Sequence, residues 1–141
     1  MGARELDQID TVIIHCLDTY ASMDTDVATV TEWHKARGFD TIGYHYLIKR
    51  DGKVKRGRPD DVVGAHAKGY NTGSLGIAMA GGKGDDDGPS VNFTHHQWKS
   101  LQELCVNLKK KYNAKIIGHN EVSDKACPNF DVQAWQEGLG L

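Results

Sequence analysis

Two short apolar runs, each ending in a histidine, constrain the fold of this chain more than any other feature. Residues 12–14 (VII) precede His15, and residues 116–118 (IIG) precede His119. Short β-branched runs bounded by polar residues are typical of strands that are buried on both faces of a sheet. In sheets flanked by helices, ligands bind at the carboxyl ends of such strands. We therefore expect His15 and His119 to lie at the same edge of one sheet.

The loop that follows His119 adds two groups suited to metal chemistry, because Lys125 and Cys127 lie within it. Imidazole and thiolate are ligands that zinc prefers, and a catalytic zinc usually has three protein ligands and one open position. A nearby ammonium can stabilise negative charge that develops during hydrolysis. The residues therefore indicate a zinc site made by His15, His119 and Cys127. The alternative is that both histidines are satisfied by hydrogen bonds, which is the commoner role of a histidine at a strand end.

A β-hairpin is predicted where Asp51 and Gly52, the strongest short turn signal of the chain, follow an alternating run. The first strand of this hairpin spans residues 44–49, and the second spans residues 53–58. Alternation along the first strand places three side chains on one face of the sheet, namely Tyr44, Tyr46 and Ile48.

Three helices are indicated by apolar residues at spacings of three and four. The first is capped by Thr25 or Asp26. The second begins with a capping box at Thr94 and carries one apolar stripe as far as Tyr112. The third is short and follows a cap at Asp131.

The summed pattern is four or five short strands and three helices around one mixed sheet. Because a hairpin and helical crossovers coexist, the fold class is α/β, in two or three layers, rather than all-α or all-β. At 141 residues the chain fits one domain. We therefore expect a single domain over residues 1–141, with residues 1–9 as a flexible N-terminal arm.

Composition argues against several partners and compartments. Charged residues make up 26% and the net charge is -2, so bulk charge gives no reason to expect nucleic acid. No apolar stretch approaches the roughly 20 residues of a membrane span, and residues 1–10 lack the apolar core of a signal peptide. We therefore expect a protein made in the cytosol. Three cysteines argue against a disulfide framework, and Cys16 and Cys105 are interpreted as structural.

Other polar residues have simpler interpretations. His34 lies next to Trp33 on the first helix and is expected to be a partly buried structural histidine. Glu121, in the loop after His119, is interpreted as a partner for the loop backbone. Residues 64–71 form a loop rich in glycine and hydrogen-bonding groups, of a kind that is often functional.

Five separated segments carry a resemblance to a known family. They are residues 14–16 (IHC), 43–52 (GYHYLIKRDG), 64–71 (GAHAKGYN), 74–77 (SLGI) and 119–128 (HNEV through KACP). In these segments the chain resembles the zinc N-acetylmuramoyl-L-alanine amidases, and in particular their short phage members. Several motifs that agree in order and register make the resemblance specific. It implies the fold shared with peptidoglycan recognition proteins, a central mixed β-sheet with about three helices packed on it.

The resemblance also implies roles for individual residues. His15, His119 and Cys127 match the zinc ligands of the family, with one Zn2+ per chain. Tyr44 and Lys125 match the two residues that the phage enzymes need for hydrolysis. Two further residues are implied to bind substrate from the groove wall, namely His66 and Asn71.

The implied reaction is hydrolysis of the amide bond between N-acetylmuramic acid and L-alanine in bacterial peptidoglycan, by an endolysin that lyses a phage host. Such an enzyme accumulates in the host cytoplasm and reaches the wall once another protein opens the inner membrane. Two alternatives stay open: a module that binds peptidoglycan without cutting it, and a regulator that binds a phage RNA polymerase. Cys127 favours the enzyme, because non-catalytic members of the family typically lose this cysteine. We expect a monomer.

Overall fold

The computed structural model describes residues 2–141, in which short strands alternate with helices. The strands are β1 (Thr11–Cys16), β2 (Thr19–Tyr20), β3 (Tyr46–Ile48), β4 (Val54–Arg56), β5 (Ser74–Met79), β6 (Gly82–Lys83) and β7 (Lys115–Gly118). The helices are α1 (Val27–Ala36), α2 (His95–Tyr112) and α3 (Val132–Leu139). The predicted N-terminal arm begins at Met1, which lies outside the described residues.

Five strands form one mixed sheet in the order β4-β3-β5-β1-β7, and this confirms the predicted α/β class. Strand β1 pairs in parallel with β5 on one side and with β7 on the other. Strand β3 joins β5 in parallel, and β4 pairs antiparallel with β3. Every residue of β1 is buried, as predicted for a strand covered on both faces. Strand β7 differs from that expectation, because it lies at the sheet edge and Ile117 is only half-buried.

The two faces of the sheet carry cores of different size. Alternate residues of β1, β3 and β5 pack with Leu101 and Cys105 of α2 and with Val132 of α3. Because successive side chains of a strand point to opposite faces, the intervening residues face α1. There Val30 forms a smaller cluster with Ile42, Leu47 and Ala78. The smaller cover on the α1 face leaves room for a groove beside His15.

Polar caps fix the predicted starts of the helices. Asp26, and not Thr25, caps α1 by accepting a hydrogen bond from a backbone amide. Thr94 and Gln97 form the predicted capping box of α2, in which each side chain accepts from the backbone of the other residue. Asp131 caps α3. No helix in the described part of the chain is both long and apolar enough to cross a bilayer.

The first hairpin strand is shorter than predicted, and this changes the position of Tyr44. Strand β3 begins only at Tyr46, because the chain bends at His45, whose ring Nδ1 and backbone N–H both bond to the backbone of Gly76. Tyr44 therefore packs with the cluster on the α1 face, so the prediction that it shares a face with Tyr46 is wrong. The bend places the Tyr44 ring beside His15, with 5.1 Å between ring centroids.

The N-terminal segment packs on the domain and so differs from the flexible arm that the sequence suggests. Arg4 is only 8% exposed. Its guanidinium donates to the backbone carbonyl oxygens of Asp60, Thr72 and Ser74. These partners lie 56 to 70 residues away along the chain, beyond the reach of any local sequence pattern.

Gln97 joins α2 to the ends of two strands, and we predict that its removal destabilises the fold. Its buried Nε2 donates to the carbonyls of Ile48 and Ala80, and its Oε1 accepts from Arg50. Gln97→Ala removes these buried hydrogen bonds and should lower the free energy of unfolding by about 2 kcal/mol, measured by urea denaturation. The matched control is Gln102→Ala on the same helix, which should change it by less than about 0.5 kcal/mol. Equal losses in the two variants would contradict this assignment.

Candidate metal centre and groove

The three predicted metal ligands converge at one edge of the sheet. His15 lies near the end of β1, His119 directly follows β7, and Cys127 returns on the next loop. Because β1 and β7 are parallel neighbours, their carboxyl ends lie side by side. The ring centroids of His15 and His119 are 4.4 Å apart. One ligand atom from each residue lies within 4.8 Å of the other two. Two imidazoles and a thiol match the donor set of a catalytic zinc with three protein ligands.

Both histidines of this cluster favour the neutral form that binds metals. Burial lowers the pKa of His15 well below 6.5, and the nearby His66, His119 and Lys125 lower it further. Burial also lowers the pKa of His119, and the charge of Lys125 adds to this effect. Since a metal competes with a proton for imidazole, these shifts leave both rings available near neutral pH.

Cys127 is held against the backbone of β1. The N–H of Cys16 donates to Sγ of Cys127 at 3.1 Å. The hydrogen bond of the Cys127 thiol to Cys16, together with burial, raises the pKa of Cys127. Its sulfur therefore carries a proton at neutral pH and must lose it to bind a metal. Cys16 packs in the core, as predicted, but its contact with Cys127 had no sequence signal.

The loop that carries Cys127 is anchored on the core face of the sheet. The ring of Phe130 packs edge-on against Trp98 of α2, with 4.8 Å between centroids. The side chain of Asn129 donates to the carbonyl of Gly82 at 2.7 Å. These contacts hold the thiol beside the two histidines.

Both residues predicted to be catalytic lie at the same place. Tyr44 and Lys125 line the groove together with the three predicted ligands. Burial raises the pKa of Tyr44, and the neighbouring cysteines Cys127 and Cys16 raise it further, so the phenol stays protonated. Lys125 is exposed and has no carboxylate within ion-pair distance over residues 2–141. Tyr44 therefore offers the groove a neutral hydroxyl, and Lys125 offers it a positive charge.

The two residues predicted to bind substrate also lie in the groove wall, but both ring nitrogens of His66 and Oδ1 of Asn71 bond within the protein. Nδ1 of His66 is 2.8 Å from Nε2 of His15, and Nε2 of His66 is 3.1 Å from Oγ of Ser74. Oδ1 of Asn71 accepts from the backbone N–H of His66 and of Ala67. Burial lowers the pKa of His66 well below 6.5, so this ring is neutral. Asn71 thus shapes the loop, and His66 contacts a predicted ligand.

A groove of about 900 Å³ passes over the three predicted ligands. Its wall on the side of α1 includes His34, Arg37 and Phe39, none of which was predicted to be functional. Nδ1 of His34 accepts from the N–H of Gly43 at 2.8 Å, so this histidine is structural, as predicted, and also faces the groove. Arg37 caps the C-terminus of α1 three residues after His34, and this spacing is the signal that could have identified the wall.

The carboxylate of Glu121 stabilises the loop through hydrogen bonds within the protein. It accepts from the N–H of Gly118 at 2.6 Å and from the side-chain amide of Gln133. The prediction that this carboxylate bonds the loop backbone is confirmed.

Comparisons with known proteins point to one family. The profile of the N-acetylmuramoyl-L-alanine amidases matches residues 5–130. The endolysin of Escherichia phage T7 is 42% identical over 135 residues, covering 95% of this chain and 89% of the endolysin. The solved N-acetylmuramoyl-L-alanine amidase LysC from Clostridium intestinale has a TM-score of 0.82 at 30% identity, covering 99% of this chain and 91% of LysC. The Drosophila peptidoglycan recognition protein SD has a TM-score of 0.69 at 28% identity, covering 85% and 74%.

Proposed function

The chain belongs to the N-acetylmuramoyl-L-alanine amidase family, and we propose that its zinc ligands are His15, His119 and Cys127. An enzyme of this family hydrolyses the amide bond between N-acetylmuramic acid and L-alanine in peptidoglycan. The observation that carries the ligand assignment is the convergence of two imidazoles and a thiol within 4.8 Å in a groove. Similar proteins are phage endolysins, so the biological role we infer is lysis of a bacterial host.

Hydrolysis of this amide adds the hydroxyl of a water molecule to the carbonyl carbon and a proton to the leaving amine of L-alanine. Bound at the three ligands, zinc supplies Lewis acidity, which polarises a carbonyl and lowers the pKa of water. His15 and His119 are ready for this task because burial keeps them neutral. Cys127 gives up its thiol proton on binding the metal.

Lys125 stabilises the negative charge that develops on the carbonyl oxygen when water attacks. Its ammonium has no carboxylate partner in the described range, so its charge is available to the substrate. Lys125 is two residues from Cys127, which keeps it near the ligands. A positive charge near a developing oxyanion lowers the barrier, because the carbonyl oxygen carries more negative charge in the transition state than in the substrate.

Tyr44 supplies a neutral hydroxyl beside His15. Because burial raises its pKa, the phenol keeps its proton throughout the neutral range. The hydroxyl suits either of two tasks: it can orient the attacking water, or it can pass a proton to the leaving amine. Both tasks depend on the phenolic oxygen of Tyr44, and the aromatic ring without it could perform neither.

A module that binds peptidoglycan without cleaving it is the second candidate, because the fold is shared with peptidoglycan recognition proteins. The presence of Cys127 beside His15 and His119 favours the enzyme, since a binding module needs no such donor set.

Peptidoglycan is the partner that the family implies. A phage RNA polymerase as a second partner, the monomeric state, and accumulation in the host cytoplasm before the inner membrane opens all stay predictions. A transcription assay with phage RNA polymerase tests the first of these. If excess protein does not inhibit transcription, the prediction of an RNA polymerase partner is wrong.

Digestion of purified peptidoglycan tests the reaction and the ligand assignment together. Wild-type protein should release free amines without new reducing sugar ends, because an amidase cuts no glycosidic bond. Cys127→Ala should lose both this activity and the bound zinc, whereas Cys105→Ala, at a buried cysteine of α2, should keep both. Reducing ends would identify a glycosidase, and wall binding without either product would favour the recognition module.

Removal of each proposed catalytic group should slow the reaction without removing the metal. Tyr44→Phe and Lys125→Ala should each lower kcat by about 100-fold or more, while zinc content stays at the wild-type level. Matched controls are Tyr70→Phe and Lys99→Ala, at exposed positions that should leave kcat unchanged. A Lys125→Ala enzyme with the wild-type kcat would contradict the role of its charge.

Zinc binding should release a proton from Cys127. The raised pKa of this thiol means that it is protonated at neutral pH, so zinc affinity should fall about tenfold for each unit that the pH is lowered. Calorimetric titrations at pH 7 in buffers of different ionisation enthalpy count the protons released. Cys127→Asp, whose carboxylate is already ionised at this pH, should release one proton fewer than wild type. Equal proton release would show that Cys127 is not a ligand.

A further inference from the structure

A row of hydrogen-bonding groups leads from His15 into the sheet. Nε2 of His15 lies 2.8 Å from Nδ1 of His66, and Nε2 of His66 lies 3.1 Å from Oγ of Ser74. Oγ of Ser74 lies in turn 2.7 Å from the carbonyl oxygen of Tyr70. Ser74 and His15 are each 1% exposed, so the two side chains that flank His66 in this row are shielded from water. The reaction described above gives Ser74 no task.

The direction of each hydrogen bond follows from the carbonyl of Tyr70, which can only accept. The hydroxyl of Ser74 has a single proton and donates it to this carbonyl. Nε2 of His66 therefore carries a proton and donates to Ser74, which leaves Nδ1 of the neutral ring as an acceptor. His15 must then carry its proton on Nε2. Its Nδ1 is consequently the bare nitrogen, with a lone pair for a metal.

We propose that Ser74 is a positioning residue of the metal centre: it fixes the tautomer of His66 and, through that ring, the tautomer of His15. This inference rests on the proposed function, since it takes His15 to be a zinc ligand. A partner that orients the second nitrogen of a ligating histidine typically strengthens metal binding about 10–100-fold. Ser74 acts only through the two rings.

The surrounding backbone holds His66 in the orientation that this row requires. A Cβ atom on Gly76 would lie 2.6 Å from Cγ of His66, and a Cβ on Gly64 would lie 2.6 Å from its Cδ2. The ring therefore packs directly on two backbone segments that only glycine leaves open. Asn71 fixes the other end of the residue by accepting from the N–H of His66 at 3.0 Å. The two glycines and Asn71 thus hold in place the His66 ring that contacts His15.

Nuclear magnetic resonance of protein labelled with 15N-histidine tests the proposal, because the two ring nitrogens of each tautomer have different chemical shifts. In chelator-treated wild type we expect the proton on Nε2 in both His15 and His66. Ser74→Ala should redistribute His66 between its tautomers and weaken zinc binding about 10–100-fold in a chelator competition. Ser74→Thr keeps a hydroxyl and should restore the wild-type tautomer and zinc affinity.

Ser100→Ala is the matched control, because it also removes a serine hydroxyl that donates to a carbonyl, that of Gly52, but away from the groove. It should leave zinc binding and both tautomers unchanged. A proton on Nδ1 of His66 in wild type would overturn the proposal, and so would unchanged tautomers in Ser74→Ala. The wild-type spectrum decides the matter even if Ser74→Ala does not fold. Wild type that binds no zinc would instead overturn the ligand assignment, while the tautomers are still read from the same spectra.

Discussion

The parallel pairing of β1 with its two neighbours is the interaction on which the rest of the molecule depends. Strand β7 on one side brings His119 next to His15, although these residues lie at opposite ends of the chain. Strand β5 on the other side begins with Ser74, which reaches His15 through His66. One central strand therefore receives a second proposed ligand from one neighbour and hydrogen-bonding support from the other. Loops need only add the thiol and the groove walls.

Features with a local cause could be predicted from the sequence, and features with a remote cause could not. Strand β1 and the capping box of α2 follow from patterns within a few residues, and the two histidines proposed as ligands follow from two such strands. The position of Tyr44 depends instead on a bend at His45 that is stabilised by the backbone of a different strand. The support of His66 by Ser74 could not be predicted either, because the direction of a hydrogen bond depends on a third group, the carbonyl of Tyr70.

Stability and chemistry are divided between the two faces of the sheet. The face covered by α2 and α3 contains most of the large apolar side chains, and its aromatic rings also anchor the loop of Cys127 through Phe130. The opposite face has small residues, such as Gly76 and Ala78, where rings pack against the backbone. Buried imidazoles are costly unless their nitrogens are bonded, and His66 meets this condition with both of its nitrogens.

The docking of Arg4 has a consequence for the order in which the chain acquires its structure during synthesis. Arg4 leaves the ribosome before the carbonyls that it binds, which are added 56 to 70 residues later. Its contacts therefore close a long loop and belong to the slow, non-local class of folding events. Since Ser74 and the loop of His66 are tied to the same guanidinium, we expect this wall of the groove to form after the local helices and the hairpin.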